Sequence, residues 1–76
     1  MATDEQRLRS PEDALRFLAV GRGTIVLLVG AGRGRVLLQR REGDIVVAAA
    51  VAGRGLFDQL VAEGRILLRG NRVLLP

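Results

Sequence analysis

The sequence predicts an α+β domain: an N-terminal helix, a three-stranded antiparallel meander, a second helix and a C-terminal β-hairpin. Three observations carry that expectation. Residues 23–41 read as an apolar strand, the glycine-rich turn Ala-Gly-Arg-Gly and a second strand ending in Gln-Arg-Arg. Ser10-Pro11-Glu12-Asp13 is a helix start, and Gly64 and Gly70 punctuate the last third at positions suited to a helix stop and a hairpin turn.

Taken in order, residues 1–9 show no apolar periodicity and are expected to be a flexible, charged lead-in to a single domain over 10–76. Ser10 can cap the first helix, Pro11 fits its first position, and Glu12 and Asp13 suit the positive end of the helix dipole. The helix is expected to run to Val20 and stop at Gly21. It would turn Ala14, Leu15, Phe17, Leu18 and Ala19 inward and leave Glu12, Asp13 and Arg16 outside.

Strand 24–29 alternates Thr24, Val26, Leu28 with Ile25, Leu27, Val29. Both sets are apolar, which predicts cover on both sides. In the next strand Val36 and Leu38 share one face, while Arg35, Leu37, Gln39 and Arg41 share the other, half-exposed one. Glu42-Gly43 makes a second tight turn.

Residues 44–52 read two ways. A strand would put Ile45, Val47, Ala49 and Val51 inward and a smooth Val46, Ala48, Ala50 face outward for close packing by a helix. A helix would start at Asp44. The β-branched residues and the preceding turn favour the strand. The second helix covers 56–63, with Leu56, Phe57, Leu60 and Val61 on one side and Gly64 ending it. Residues 65–75 form the hairpin around Gly70 and Asn71. The two helices can cover one sheet face, and no third layer is left to cover the other.

Composition sets the limits. A 76-residue chain buries only about 60% of the surface its unfolded form exposes. With no Cys and no His it has neither disulfides nor the usual zinc ligands to compensate. The 49% apolar content includes only two aromatic residues, Phe17 and Phe57. So much apolar character in so small a domain predicts association, in the simplest case a homodimer. Arg16, Arg22, Arg33 and Arg35 break every candidate membrane span, and the N-terminus lacks the basic-then-apolar order of a signal peptide. These features predict a soluble, cytoplasmic protein.

Chemistry at an active site finds little material. Without Cys, His, Lys or Tyr, the remaining nucleophiles and bases are Ser10, Thr24 and the carboxylates. Ser10 is used as a cap, and Glu42 and Asp44 read as solvated turn charges. No catalytic residue, metal site or cofactor is expected. The run Val-Leu-Leu-Val-Gly-Ala-Gly-Arg-Gly over 26–34 resembles the glycine loop of Rossmann-type methyltransferases. Position 35 is Arg where the dinucleotide-binding version of that loop has Gly, and a strand rather than a helix follows, so the run is assigned as a hairpin turn.

The net charge of +4 comes entirely from Arg against Asp and Glu, and it is uneven. Residues 1–20 hold three Arg against four acids, and residues 21–76 hold nine against four. A basic body invites a polyanion, although Arg without Lys is also what a GC-rich coding sequence yields. The candidate phosphate contacts are Arg33, Arg35 and Arg54, expected at one end of the sheet, with Arg69 and Arg72 on the terminal hairpin. Arg22, Arg40 and Arg41 are expected at the opposite end.

Residues 56–72 resemble the last helix and wing of winged-helix DNA-binding domains, which would make 44–52 the preceding helix. Leu60, Val61, Gly64, Arg65, Ile66, Gly70, Val73 and Pro76 also resemble the end of an S4-type RNA-binding domain. A helix followed by a hairpin is generic, and no family is assigned on it. Two functions follow: a small basic module binding DNA or RNA through Arg-bearing turns, or a homo-oligomeric interaction domain using an apolar sheet face.

Overall fold

The capping signal at Ser10 acts as its chemistry dictates. The Ser10 hydroxyl accepts a hydrogen bond from the Asp13 amide at 3.1 Å, and the Asp13 carboxylate accepts one from the Arg9 amide at the same distance. This reciprocal arrangement satisfies donors that the helix leaves open, and a Ser cap of this kind contributes about 1 kcal/mol. The computed structural model describes residues 5–19 and 23–76. The elements are β1 (Glu5–Leu8), α1 (Pro11–Ala19), β2 (Ile25–Gly32), β3 (Arg35–Glu42), β4 (Ile45–Gly53), α2 (Arg54–Ala62), β5 (Leu67–Arg69) and β6 (Arg72–Leu74). The expected helix stop at Val20-Gly21 and the position of Arg22 lie outside the described residues.

The fold is α+β, with two helices against one six-stranded mixed sheet of order β1-β4-β3-β2-β6-β5. The expected meander is its centre, β2-β3-β4, antiparallel throughout. Three further strands extend it. The terminal hairpin β5–β6 joins through β6, which pairs antiparallel with β2. Glu5–Leu8, in the stretch expected to be a lead-in, forms β1 and pairs parallel with β4. A four-residue edge strand with one buried residue, Leu8, has too little apolar alternation to be read from sequence. Residues 45–53 are a strand, so the alternative in which 44–52 is a helix, and the winged-helix arrangement that needs it, are both overturned. Pairing with β3 along one edge and β1 along the other outweighs the helical preference of its alanines.

One face of the sheet is the core face. Leu8, Val26, Val36, Leu38, Ala50, Ala52 and Val73 meet Ala14 and Phe17 of α1 and Phe57 and Leu60 of α2, with Ile66 closing the end. The alanines of β4 are what let α2 approach closely. The smooth face of β4 receives a helix as expected, through Ala48, Ala50 and Ala52. Of the residues expected inward, Ala49 and Val51 face away from the helices, and Ile45 and Val47 are exposed. α2 begins two residues earlier than expected and ends where Gly64 takes a φ of +72°. Both helices lie on this face, as expected, so within the chain β2 is covered on one side. Among the described residues, no helix is long and apolar enough to cross a membrane.

Candidate nucleic-acid interface

Strand alternation and register fix what stands on the other, open face. Leu27 lies opposite Gln39 on one side and Arg72 on the other. Arg72 in turn faces Arg69 across the terminal hairpin. Ile25 is paired with Arg41, and Gly32 with Arg35. Val51 sits between Leu37 and Arg7, and Ala49 between Gln39 and Glu5. The open face therefore carries five arginines, Arg7, Arg35, Arg41, Arg69 and Arg72, against one carboxylate, Glu5, among the described residues.

The arginines stand around the margin: Arg7 on one edge, Arg69 and Arg72 on the other, Arg35 and Arg41 at the two ends of β3. Ile25, Leu27, Gly30, Leu37, Ala49 and Val51 form an uncharged strip between them, with the polar Gln39 at its middle between Leu27 and Ala49. Val51 is only 7% exposed yet belongs to no part of the helix-facing core. Its cover comes from its neighbours on the open face, Arg7 and Leu37 being directly opposite. Arg41 is aimed along the strand by two hydrogen bonds from its Nε and Nη2 to the Gln39 Oε1, at 3.2 and 3.0 Å. Arg69 and Arg72 have no carboxylate partner among the described residues, and like charges placed opposite each other on a sheet cost a few tenths of a kcal/mol.

At the β2–β3 end the open face deepens into a cleft of about 520 Å³, lined by Glu5, Gly30, Ala31, Gly32, Arg33, Arg35 and Leu37. A register shift between Leu28 and Gly30 bends β2 just below it. The turn above it is a two-residue loop, Arg33-Gly34, with both residues at positive φ, +54° and +74°. That is the backbone of a type I′ hairpin, where Asn-Gly is the usual choice. Arg33 is the one non-glycine residue with positive φ among those described.

The five arginines expected to contact phosphate are thus partly brought together. Arg35, Arg69 and Arg72 share the open face, and Arg33 stands at its rim in the cleft. Arg54 diverges. Its amide donates to the Gly34 carbonyl at 2.9 Å, which places its backbone beside the turn, but its side chain pairs with Asp58 at 3.6 Å on α2.

Arg40 and Arg41, expected together at the opposite end, point to opposite faces. Arg40 lies in the helix layer, stacked 4.3 Å from the Phe17 ring centroid and donating from Nη2 to the Phe17 carbonyl. It is a structural pin. Sequence reasoning missed Arg7, because β1 was not foreseen. It also passed over Arg41 and Gln39 as a pair, although their shared face with Arg35 was legible from the alternation of β3.

No protein-family model matches the chain, and no curated protein and no solved structure matches it closely enough to argue from.

Proposed function

We propose that the chain is a nucleic-acid-binding module that holds the phosphate backbone on the open face of its sheet. The observation that carries this reading is the segregation of charge by face. Five arginines and one carboxylate share the open side, whereas on the far side Glu12, Asp13 and Asp58 balance Arg16, Arg54 and Arg40. Such a field draws a polyanion to the open side in preference to the neutral one. Arg is also the side chain whose planar fork best matches phosphate oxygens.

The direct test is a salt titration of binding to random-sequence duplex DNA and to RNA. Five phosphate contacts predict a log–log slope of about −4.5 on duplex DNA and about −3.5 on a single strand. Failure to bind either at low salt would remove the proposal.

A second reading has one observation in its favour: Leu27 and Leu37 lie on the same open face, as an oligomerisation surface requires. Stacking two such faces would oppose ten arginines with two glutamates, so a dimer formed that way should tighten as salt screens the repulsion. Nucleic-acid binding weakens under the same change. Light scattering across a salt series separates the two.

A further inference from the structure

The open face offers two chemistries, and a duplex can use only one of them. Its arginines ring a strip, about five strand spacings or roughly 24 Å from β1 to β5, whose exposed apolar surface is Leu27, Leu37 and Ala49 around the Gln39 amide, with Val51 buried among them. A duplex presents phosphates outward with its bases paired inside. Pressed onto that strip, its phosphates would lose water and gain no cationic partner.

Reading a groove instead requires an element that can enter it, and the described elements are poorly placed for that. The Arg33-Gly34 turn is tied down by the Arg54 amide, and the β5–β6 loop by the Leu28 amide, which donates to the Asn71 carbonyl at 2.6 Å. The helices lie on the far face, where exposed Glu12 and Asp58 offset exposed Arg16 and Arg54 and leave no net positive charge to enter a groove. A single strand has what the strip lacks a use for in a duplex: free apolar base faces beside a charged backbone.

We infer, building on the phosphate-binding reading, that the open face takes single-stranded nucleic acid, with phosphates on the marginal arginines and bases laid on the apolar strip. The cleft suits a base better than a phosphate. Its floor is the Gly32 backbone and the Leu37 side chain, which packs over Gly30 and gives an apolar surface on which a planar ring can lie, and Arg33 and Arg35 at its rim can stack on that ring or bond its edge. The Glu5 carboxylate in its wall repels a phosphate but accepts from a base amino group. The face has no aromatic residue, so the base term is smaller than on aromatic platforms and is spread over several aliphatic contacts.

The test is fluorescence anisotropy at low salt with three labelled probes: a short mixed-sequence DNA strand, the same strand in a duplex, and an abasic deoxyribose-phosphate strand of equal length. The single strand should bind about tenfold more tightly than either of the others, the margin supplied by burying roughly 55 Å² of apolar surface between bases and strip. Leu37, 39% exposed, gives a second handle. Leu37→Ala removes part of the strip at unchanged charge, so it should lower affinity for the strand severalfold while leaving affinity for the duplex unchanged. The abasic comparison uses the unaltered chain and does not depend on that variant folding. Equal binding of all three probes, or tighter binding of the duplex, overturns the single-strand inference and leaves phosphate binding standing. Retention of none of them overturns both.

Discussion

The two faces of this sheet are made by alternate residues of the same strands, and they obey different rules. On β3, Val36 and Leu38 are 2% and 3% exposed beneath the helices, while Arg35 and Leu37, one residue away in each case, stand on the open side with Leu37 at 39%. The helix-facing side is selected for volume and contains one cation, Arg40, which is packed against Phe17 and bonded to its carbonyl. The open side is selected for charge at its margin and flatness at its centre. The difference teaches that, on the proposed reading, stability and binding would be separable at the resolution of single residues, and substitutions on neighbouring positions can test that.

The largest effect is expected from the core face. Leu38→Ala should cost about 2–5 kcal/mol, a large part of the roughly 4–11 kcal/mol that a 76-residue domain has in total. Its neighbour Leu37→Ala, already half in water, should cost under about 1 kcal/mol. Urea unfolding of the two variants measures the contrast. Similar costs would mean that the open face is covered by something else and that the asymmetry is only apparent.

Arg40 comes next, because it is a cation on the wrong face. Its guanidinium contributes a stack on Phe17 and a bond to that residue's carbonyl, and its stem covers apolar surface. Arg40→Ala should destabilise by about 1–3 kcal/mol. The Arg40 Nε proton finds no acceptor among the described residues. Arg40→Met, which keeps the stem and removes the buried polar group, should therefore recover part of the loss. Neither variant should alter the salt slope of nucleic-acid binding. A change in that slope would place Arg40 in the interface and break the division between faces.

How much of this was legible in the sequence depends on which interactions wrote it. The cap at Ser10, the hairpin turn at 33–34, the helix stop at Gly64 and the two-sided pattern of β3 are local, and each follows from the chemistry of a few adjacent residues. What escaped depends on pairing across the chain. β1 is a strand only because β4 offers it an edge, since Glu5-Gln6-Arg7-Leu8 has no pattern of its own. In β4 the smooth alanine face was legible as the one a helix packs on, but that Ala49 and Val51 are left on the open side follows only once both helices are placed on the same face. The grouping of Arg7 with Arg69 and Arg72 is less legible still, because it requires the order of all six strands. Arg54 was misdirected by proximity: its backbone is beside the turn, as expected, but Asp58 one helical turn later captures its side chain.

A smaller effect, of opposite sign, is expected at Arg33. Holding a non-glycine residue at a φ of +54° costs about 1–2 kcal/mol, less for Asn, whose side chain bonds locally. Arg33→Asn should therefore raise stability by about 1 kcal/mol, and it should weaken nucleic-acid binding if Arg33 serves the cleft. A thermal melt and an anisotropy titration on the same variant read both. Stabilisation with unchanged binding would show that the strained turn is incidental to the interface.

The smallest change in stability, and the sharpest probe of the comparison, is expected from the terminal hairpin. Arg69 and Arg72 face each other on the open side with no carboxylate partner among the described residues. Replacing both by Gln removes a like-charge pair, which should leave stability unchanged or raise it by a few tenths of a kcal/mol. The same substitution removes two candidate phosphate contacts, so the magnitude of the salt slope should fall by roughly 1.8 on duplex DNA and roughly 1.4 on a single strand. Arg16 and Arg65, exposed outside the open face, supply the control. Replacing them together removes the same net charge, so any non-specific effect of lowering that charge is held constant. If the slope falls equally in both double variants, binding follows overall charge and the open face has no privilege. If it falls only for Arg69 and Arg72, the arrangement set by strand register determines where the phosphates sit.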